Sequence, residues 1–195
     1  EDTMIEIQKI VASGELTTLS RERIWMETYK ALITDNPEVY FKLIEECGAL
    51  SQICPVSQLD TTYLSKAIKT QRDPNARWAC LVASNTSLED INNSFNVPKE
   101  YKEISEVCRL IIAFKTLDSV NAKDIIELAD KTDIYRKEDR FLKAEKISNF
   151  CIDINSGQKL DWDKIVKLIN DIKASSDLKE GKLIAKKLKE DRLNA

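Results

Sequence analysis

Only four glycines and four prolines punctuate the 195 residues of this chain. Sheets of short strands need frequent turns, and turns draw heavily on Gly, Pro, Asn and Asp. So few breaks leave long uninterrupted stretches, which helices fill. Within them the apolar residues recur three and four positions apart, which is helical spacing. The expected fold is all-α, with about eleven helices and no fixed-period repeat.

The breaks themselves place the helices. Thr3 to Ser13 puts Met4, Ile7, Ile10 and Val11 on one stripe, and Gly14 stops it. Ser20 is suited to cap a helix over Arg21 to Ile33, with Glu22 in its first turn. Asn36 is placed to cap the next helix, which starts on Pro37 and ends at Gly48. A short apolar piece, Ala49 to Cys54, precedes Pro55. Thr61 to Thr70 forms a weaker helix, broken by Arg72-Asp73-Pro74-Asn75. Ala76 to Val82 is apolar throughout except for Arg77. Ser87-Leu88-Glu89-Asp90 has the form of a capping box opening a helix to Phe95. Pro98 to Phe114 is long and amphipathic. Asn121, with Asp124 three residues on, caps Ala122 to Ala129, and Lys137 to Ile152 follows. Asn155-Ser156-Gly157 is a turn before two last helices, Asp161 to Ala174 and Gly181 to Asn194. The organisation expected is 1–58, 59–154 and a tail, 155–195.

Composition then restricts the chemistry. There is no histidine, the usual general base near neutral pH and the commonest metal ligand. Ser-His-Asp and Cys-His catalysis are excluded within this chain, as are metal sites built on imidazole. No catalytic residue is assigned, and the expected role is binding or positioning. The net charge of −3 gives no overall basic field, though local basic faces remain open. No apolar run approaches the roughly 20 residues of a membrane span, and the expected location is cytoplasmic. The five cysteines (Cys47, Cys54, Cys80, Cys108 and Cys151) include no C-x-x-C pair. They read as reduced, buried thiols rather than metal ligands, with a disulfide or a reactive thiol as the remaining alternative.

Five stretches carry a more specific signal. Glu22-Arg23-Ile24-Trp25-Met26-Glu27 is followed by Phe41-Lys42-Leu43-Ile44-Glu45-Glu46-Cys47-Gly48-Ala49-Leu50. Phe95-Asn96-Val97-Pro98-Lys99-Glu100 leads into Arg109-Leu110-Ile111. Ala129-Asp130-Lys131-Thr132-Asp133-Ile134-Tyr135-Arg136-Lys137 comes next, and Gly181-Lys182-Leu183-Ile184 through Arg192-Leu193 closes the chain. In this order they resemble the bacterial CCA-adding tRNA nucleotidyltransferases, and part of the pattern is shared with bacterial poly(A) polymerases. The resemblance covers nearly the whole chain. It implies the end of the neck, the body and the tail of such an enzyme. The family's G-x-D-x-D, R-R-D and E-D-x-x-R motifs are missing here, so the polymerising head would lie outside this chain. That head would use Mg²⁺ with CTP and ATP; no cofactor is expected here. Opening on Glu1-Asp2-Thr3 without an initiator Met fits a piece of a longer protein.

Two sites follow from the resemblance. Arg23 and Glu27 match the family's last neck motif, whose implied role is to brace the nucleotide-reading helix. From the residues alone they are an i,i+4 ion pair worth about 0.3–0.5 kcal/mol. In many bacterial members the body is a metal-dependent phosphohydrolase with an R-F-A-x-L-x-H-D-L-G-K string. The matching stretch here begins Arg77-Trp78-Ala79-Cys80-Leu81-Val82, and Ala83 and Ser84 stand where the His-Asp pair would be. Neither replaces an imidazole or a bidentate carboxylate, so the body reads as a degenerate scaffold with no metal site. Asp161-Trp162-Asp163 lacks the Gly-rich strand of a metal motif and reads as a helix cap.

The implied partners are tRNA, through its acceptor stem and T-arm, and the chain's own head domain. Phosphates require cations. The segment from Asp177 to Ala195 carries Lys179, Lys182, Lys186, Lys187, Lys189 and Arg192 against four carboxylates. Arg136, Lys137, Arg140, Lys143 and Lys146 form a second cluster. Either group could also be an ordinary solvated helix face. Tyr135 and Trp162 could stack on bases or pack in the core, with packing the stronger reading. Recognition of an A-form stem would be by shape, at roughly micromolar affinity or weaker for this piece alone. Two alternatives stay open: the corresponding region of a poly(A) polymerase, and a stand-alone helical interaction module.

Overall fold

The computed structural model describes residues 2–152 together with 161, 162, 165 and 190. Among the described residues it has ten α-helices, one 3-10 turn and no strand. The helices are α1 (Asp2–Ala12), α2 (Arg21–Leu32), α3 (Glu38–Glu46), α4 (Ala49–Ile53), α5 (Thr62–Ala67), α6 (Pro74–Ala83), α7 (Leu88–Ser94), α8 (Lys99–Lys115), α9 (Ala122–Thr132) and α10 (Glu138–Ser148). The helices anticipated over Asp161 to Ala174 and Gly181 to Asn194 fall largely outside the described residues.

Most starts and stops follow local chemistry. Ser20 Oγ accepts the Arg23 N–H at 3.3 Å and opens α2. Asn121 Oδ1 accepts from the backbone of Lys123 and Asp124, and Asp124 returns a bond to the Asn121 N–H at 3.0 Å. That reciprocal box satisfies donors the first turn of α9 would otherwise leave open. Gly14 and Gly48 have φ of +80° and +79°, a region costly for residues with a Cβ, and they separate α1 from its 3-10 turn and α3 from α4. Three local expectations come out differently. Ser87 makes no side-chain bond to the first turn of α7, so its capping box does not close. The Asn36 carbonyl, not its side chain, accepts the Val39 N–H. Asp73-Pro74 begins α6 as well as ending the stretch before it: Asp73 Oδ1 accepts the Asn75 N–H at 3.0 Å, and Pro74 occupies the first turn.

Helix α6 organises the rest. Every residue from Asn75 to Val82 is buried. Ala76, Ala79 and Cys80 lie on one face and join a cluster with α8, α9 and α10. Trp78, Leu81 and Val82 lie on the other and join a cluster with α2, α3, α4 and α7. A helix apolar on all sides belongs in the interior, with neighbours on both flanks. Small residues face α8, which lets the two helices approach closely, and the large ones fill the second cluster.

That second cluster is aromatic. The Trp78 ring meets Trp25 edge-on at 5.3 Å and Phe95 at 5.5 Å, and Trp25 meets Tyr101 at 5.0 Å. Buried indole nitrogens need acceptors. Trp78 Nε1 donates to Asn92 Oδ1 at 2.9 Å, Asn92 Nδ2 donates to Ser105 Oγ at 3.3 Å, and Ser105 donates to the Lys102 carbonyl at 2.9 Å. This relay ties α6 to α7 and α8 without a charged group. Arg77 is the charged exception, and it is fully buried. Its guanidinium donates to the carbonyls of Leu32 and Thr34 at 2.6 Å each and of Gln71 at 2.8 Å. Those carbonyls lie at the end of α2 and in the loop before α6, so Arg77 clamps both to the central helix.

The first cluster is closed by polar bonds at its edge. Lys115, at the end of α8, is buried, and its ammonium donates to Glu145, Ser148 and Asn149 at 2.7–2.8 Å. All three of its protons are thereby used. Trp162 is buried against Phe114 and Phe141 at 5.5 and 5.1 Å, so it packs in the core. No helix among the described residues is long and apolar enough to cross a membrane.

Candidate functional site

The segment Ala129 to Lys137 is the joint between α9 and α10. Asp133 ends α9 with φ of +53°, a left-handed conformation that Asp tolerates better than most residues. Its backbone carbonyl accepts from Arg136 and Lys137, and its carboxylate accepts Arg136 Nε at 2.9 Å. The neighbouring Arg136 guanidinium holds the Asp133 carboxyl below the usual carboxylate range. Asp130 accepts the Tyr135 hydroxyl at 2.9 Å. The D-x-x-D-x-x-R-K spacing thus builds a self-fastened turn that delivers Arg136 and Lys137 to the surface.

Behind this turn lies a cleft of about 730 Å³, reaching from α8 to the first turns of α10. Its base is Glu103. Arg140 Nη1 approaches Glu103 at 3.0 Å, Lys137 at 3.3 Å and Lys99 at 3.8 Å. Partial burial works to raise the Glu103 carboxyl, but hydrogen bonds from Arg140 and Lys137, with their charges, outweigh it and hold it below the usual range. Lys143 pairs with Asp73 at 2.9 Å. Arg140 also donates to the Thr132 carbonyl (Nη2 to O).

The cleft brings the predicted residues together but does not leave them equally available. Its walls carry Arg136, Lys137, Arg140 and Lys143, and also Glu100, Glu103, Glu138 and Asp139. Cations and carboxylates are matched in number, so the cleft is not a bare cationic trap. Arg136 is 82% exposed, whereas Arg140 is 17% exposed and committed to Glu103 and a backbone carbonyl. Arg136 therefore presents charge outward, and Arg140 supports the wall. Tyr135 is half-buried with its hydroxyl on Asp130.

The other predicted sites are separate. Arg23 and Glu27 both lie on the exposed face of α2. Glu27 is paired with Lys30 at 2.8 Å. The inner face of the same helix holds Trp25 against Trp78, and buried Thr28 bonds to the Ile24 carbonyl and the Tyr40 hydroxyl. In the string that follows, Phe41, Ile44, Cys47, Ala49 and Leu50 are all buried. The motif residues of this region mostly pack, and the charged ones face out. At the end of α6, Ser84 Oγ donates to the carbonyls of Asp60 at 2.6 Å and Leu81 at 2.8 Å, and Asn85 bonds to the same two carbonyls. An adjoining hollow of about 520 Å³ is lined by Lys42, Glu45, Glu46, Asp60 and Asn85 among others. Among the described residues no group of three or more Cys, Asp or Glu side chains is arranged to hold a metal ion. The tail cations Lys179, Lys182, Lys186, Lys187, Lys189 and Arg192 lie outside the described residues.

Glu103 escapes sequence reading. Lys99 stands one turn before it, but Lys137 and Arg140 are 34 and 37 positions away, and only the packing of α8 on α10 brings them to it. The local Lys99–Glu103 spacing signals an ordinary i,i+4 pair and not the cleft.

Residues 1–59 match a family model described as "Probable RNA and SrmB- binding site of polymerase A". A CCA-adding enzyme from Pseudomonas putida is 33% identical over 148 residues, which take in 72% of this chain and 40% of that enzyme. A multifunctional CCA protein from another strain of that species is also 33% identical, over 150 residues. A CCA-adding enzyme from Coxiella burnetii is 26% identical over 204 residues, covering all of this chain and 54% of the enzyme. The chain thus spans about half or less of the length of these relatives. The motif resemblance and the sequence comparisons point to the same proteins. No solved structure matches the chain.

Proposed function

Starting from a chain that is a relative of the bacterial CCA-adding enzymes, we propose that it is the tRNA-holding C-terminal portion of one. The whole enzyme would add C, C and A to the tRNA 3′ end from CTP and ATP, with Mg²⁺ in a head domain. This portion would carry no polymerising site and no phosphohydrolase site. The observation that carries the reading is the match of residues 1–59 to a family described by RNA binding, continued by CCA-adding relatives across the remainder.

The family resemblance, with the exposure of Arg23, Glu27 and Arg136, supports a division of labour. Helices α2 to α4 would seat the neck, with Arg23 and Glu27 on the outer face bracing the nucleotide-reading helix. Arg136, exposed at the α9–α10 joint, would meet phosphate, with Lys137 and Lys143 beside it and Arg140 and Glu103 supporting the wall. The tail cations Lys179 to Arg192 would extend that contact along the acceptor stem and T-arm. Recognition would rest on phosphates and 2′-hydroxyls, which suits a partner common to every tRNA sequence.

The test is binding of a tRNA minihelix to the purified chain across a salt series. Affinity should fall steeply with salt, and the double change Lys182→Glu with Lys186→Glu should weaken it further. Binding that ignores both salt and the tail substitutions would overturn the reading. The matched family's name also supports a second assignment, to the same region of a poly(A) polymerase. Joining the chain to its natural upstream sequence and assaying nucleotide choice on tRNA separates the two: CCA ends on one reading, A-only tails on the other.

A further inference from the structure

Three of the five cysteines meet in the core formed by α6, α8 and α10. Cys80 lies on the small-residue face of α6, Cys108 on α8, and Cys151 just beyond α10. All are buried. The sulfurs of Cys151 and Cys80 are 3.8 Å apart, although the residues are 71 positions apart in sequence. A disulfide needs the sulfurs at about 2.05 Å, so closure requires a movement under 2 Å. The two ends differ in how easily they move. Cys80 is in the middle of the central helix, whereas Cys151 is in an i→i+3 turn after the last full turn of α10, its N–H on the Ser148 carbonyl at 3.0 Å. Segments beyond helix ends open at far lower free energy than the core.

We propose that Cys80 and Cys151 form a reversible, peroxide-driven disulfide that staples the end of α10 to α6. Cys151 is the attacking sulfur. Hydrogen bonds from the Cys108 and Cys80 thiols, aided by the positive charges of Lys66 and Lys115, favour its thiolate against the cost of burial. The pairing with Cys151, together with burial, pushes Cys80 and Cys108 the other way. In the first step the Cys151 thiolate attacks one oxygen of hydrogen peroxide. An S–O bond forms, the O–O bond breaks, and the departing hydroxide takes a proton to become water. In the second step the Cys80 sulfur attacks the sulfenic sulfur of Cys151. The S–S bond forms, the S–O bond breaks, and a second water leaves with the Cys80 proton. Two thiols lose two electrons and one peroxide gains them. Cys47 and Cys54 are buried in the aromatic cluster and take no part. This assignment is independent of whether the chain binds RNA.

The test treats the folded chain with hydrogen peroxide, removes the peroxide, unfolds the chain in denaturant so that iodoacetamide reaches and blocks every remaining thiol, and maps the peptides by mass. One linked pair, Cys80 with Cys151, should appear and vanish on reduction, while Cys47, Cys54 and Cys108 carry the blocking group. Cys47→Ala, in the other cluster, should leave the link intact. Cys80→Ala should abolish it and leave a sulfenic acid on Cys151 that dimedone traps; if that variant fails to fold, the wild-type map decides alone. Five blocked thiols after peroxide, or a link through any other cysteine, would sink the assignment.

Discussion

Two buried or half-buried arginines mark two different kinds of region in this molecule. Arg77, on α6, is held by three backbone carbonyls at the end of α2 and in the loop before α6. Arg140, on α10, faces the carboxylate of Glu103 and a single carbonyl. Carbonyl partners are fixed by the backbone and cannot be exchanged for an incoming phosphate. Carboxylate partners are side chains that salt screens, protons neutralise and other anions can replace. Charge at Arg77 therefore fixes helix positions, as the buried Lys115 does between α8 and α10, whereas the ion pairs of the cleft around Glu103 stay open to exchange. Only the second kind is useful to a surface that must meet a polyanion.

The comparison breaks most readily at Arg77. Arg77→Ala should cost about 3–4 kcal/mol, because it opens a cavity and leaves buried carbonyls without donors. Urea unfolding at low and high salt should give the same loss; a strongly salt-dependent loss would put Arg77 in the second class. Next comes the uncharged relay beside it. Asn92→Ala strands the Trp78 indole N–H and should cost about 2 kcal/mol, again without salt dependence. Arg140→Ala should cost about 1 kcal/mol in low salt and less as salt rises, since its main partner is a partly exposed carboxylate.

A smaller effect belongs to Glu103. Its folded carboxyl is held below the unfolded value, so its contribution is present above the unfolded pKa and is lost as pH falls through the folded one. Unfolding from pH 6 downward should show that loss in the wild type and a shallower slope in Glu103→Gln. Identical slopes would mean that the three cations around Glu103 do not define its titration. Smallest for stability is Arg136→Glu, because the side chain is exposed to solvent. The same change should weaken minihelix binding, and unchanged binding would remove the α9–α10 joint from the interface.

Sequence chemistry reveals the parts of this fold that are decided within one turn of chain. Ser20, Gly14, Gly48 and the Asn121–Asp124 box act on neighbours three or four residues away, and each does what its residue type implies. Ser87 shows the limit: the right letters stand in the right order, yet its φ of −97° and ψ of 51° turn the backbone away from capping geometry. The long-range devices leave no such trace. Arg77 in an apolar run looks like an interruption until α2 ends beside it, 45 residues earlier in the chain. The cation cluster after Tyr135 was legible as charge. Asp133, Glu138 and Asp139 stand beside it in the sequence, but the carboxylates that pair Lys137, Arg140 and Lys143 come from α8 and from Asp73, so its full balance was not.

Helix α6 has one further consequence. Because one face completes the aromatic cluster and the other completes the thiol-bearing cluster, the two cores share a wall. Neither can lose that wall without exposing the other to water. The two halves should therefore melt in a single cooperative transition, and a protease acting on the native chain would find no seam between them.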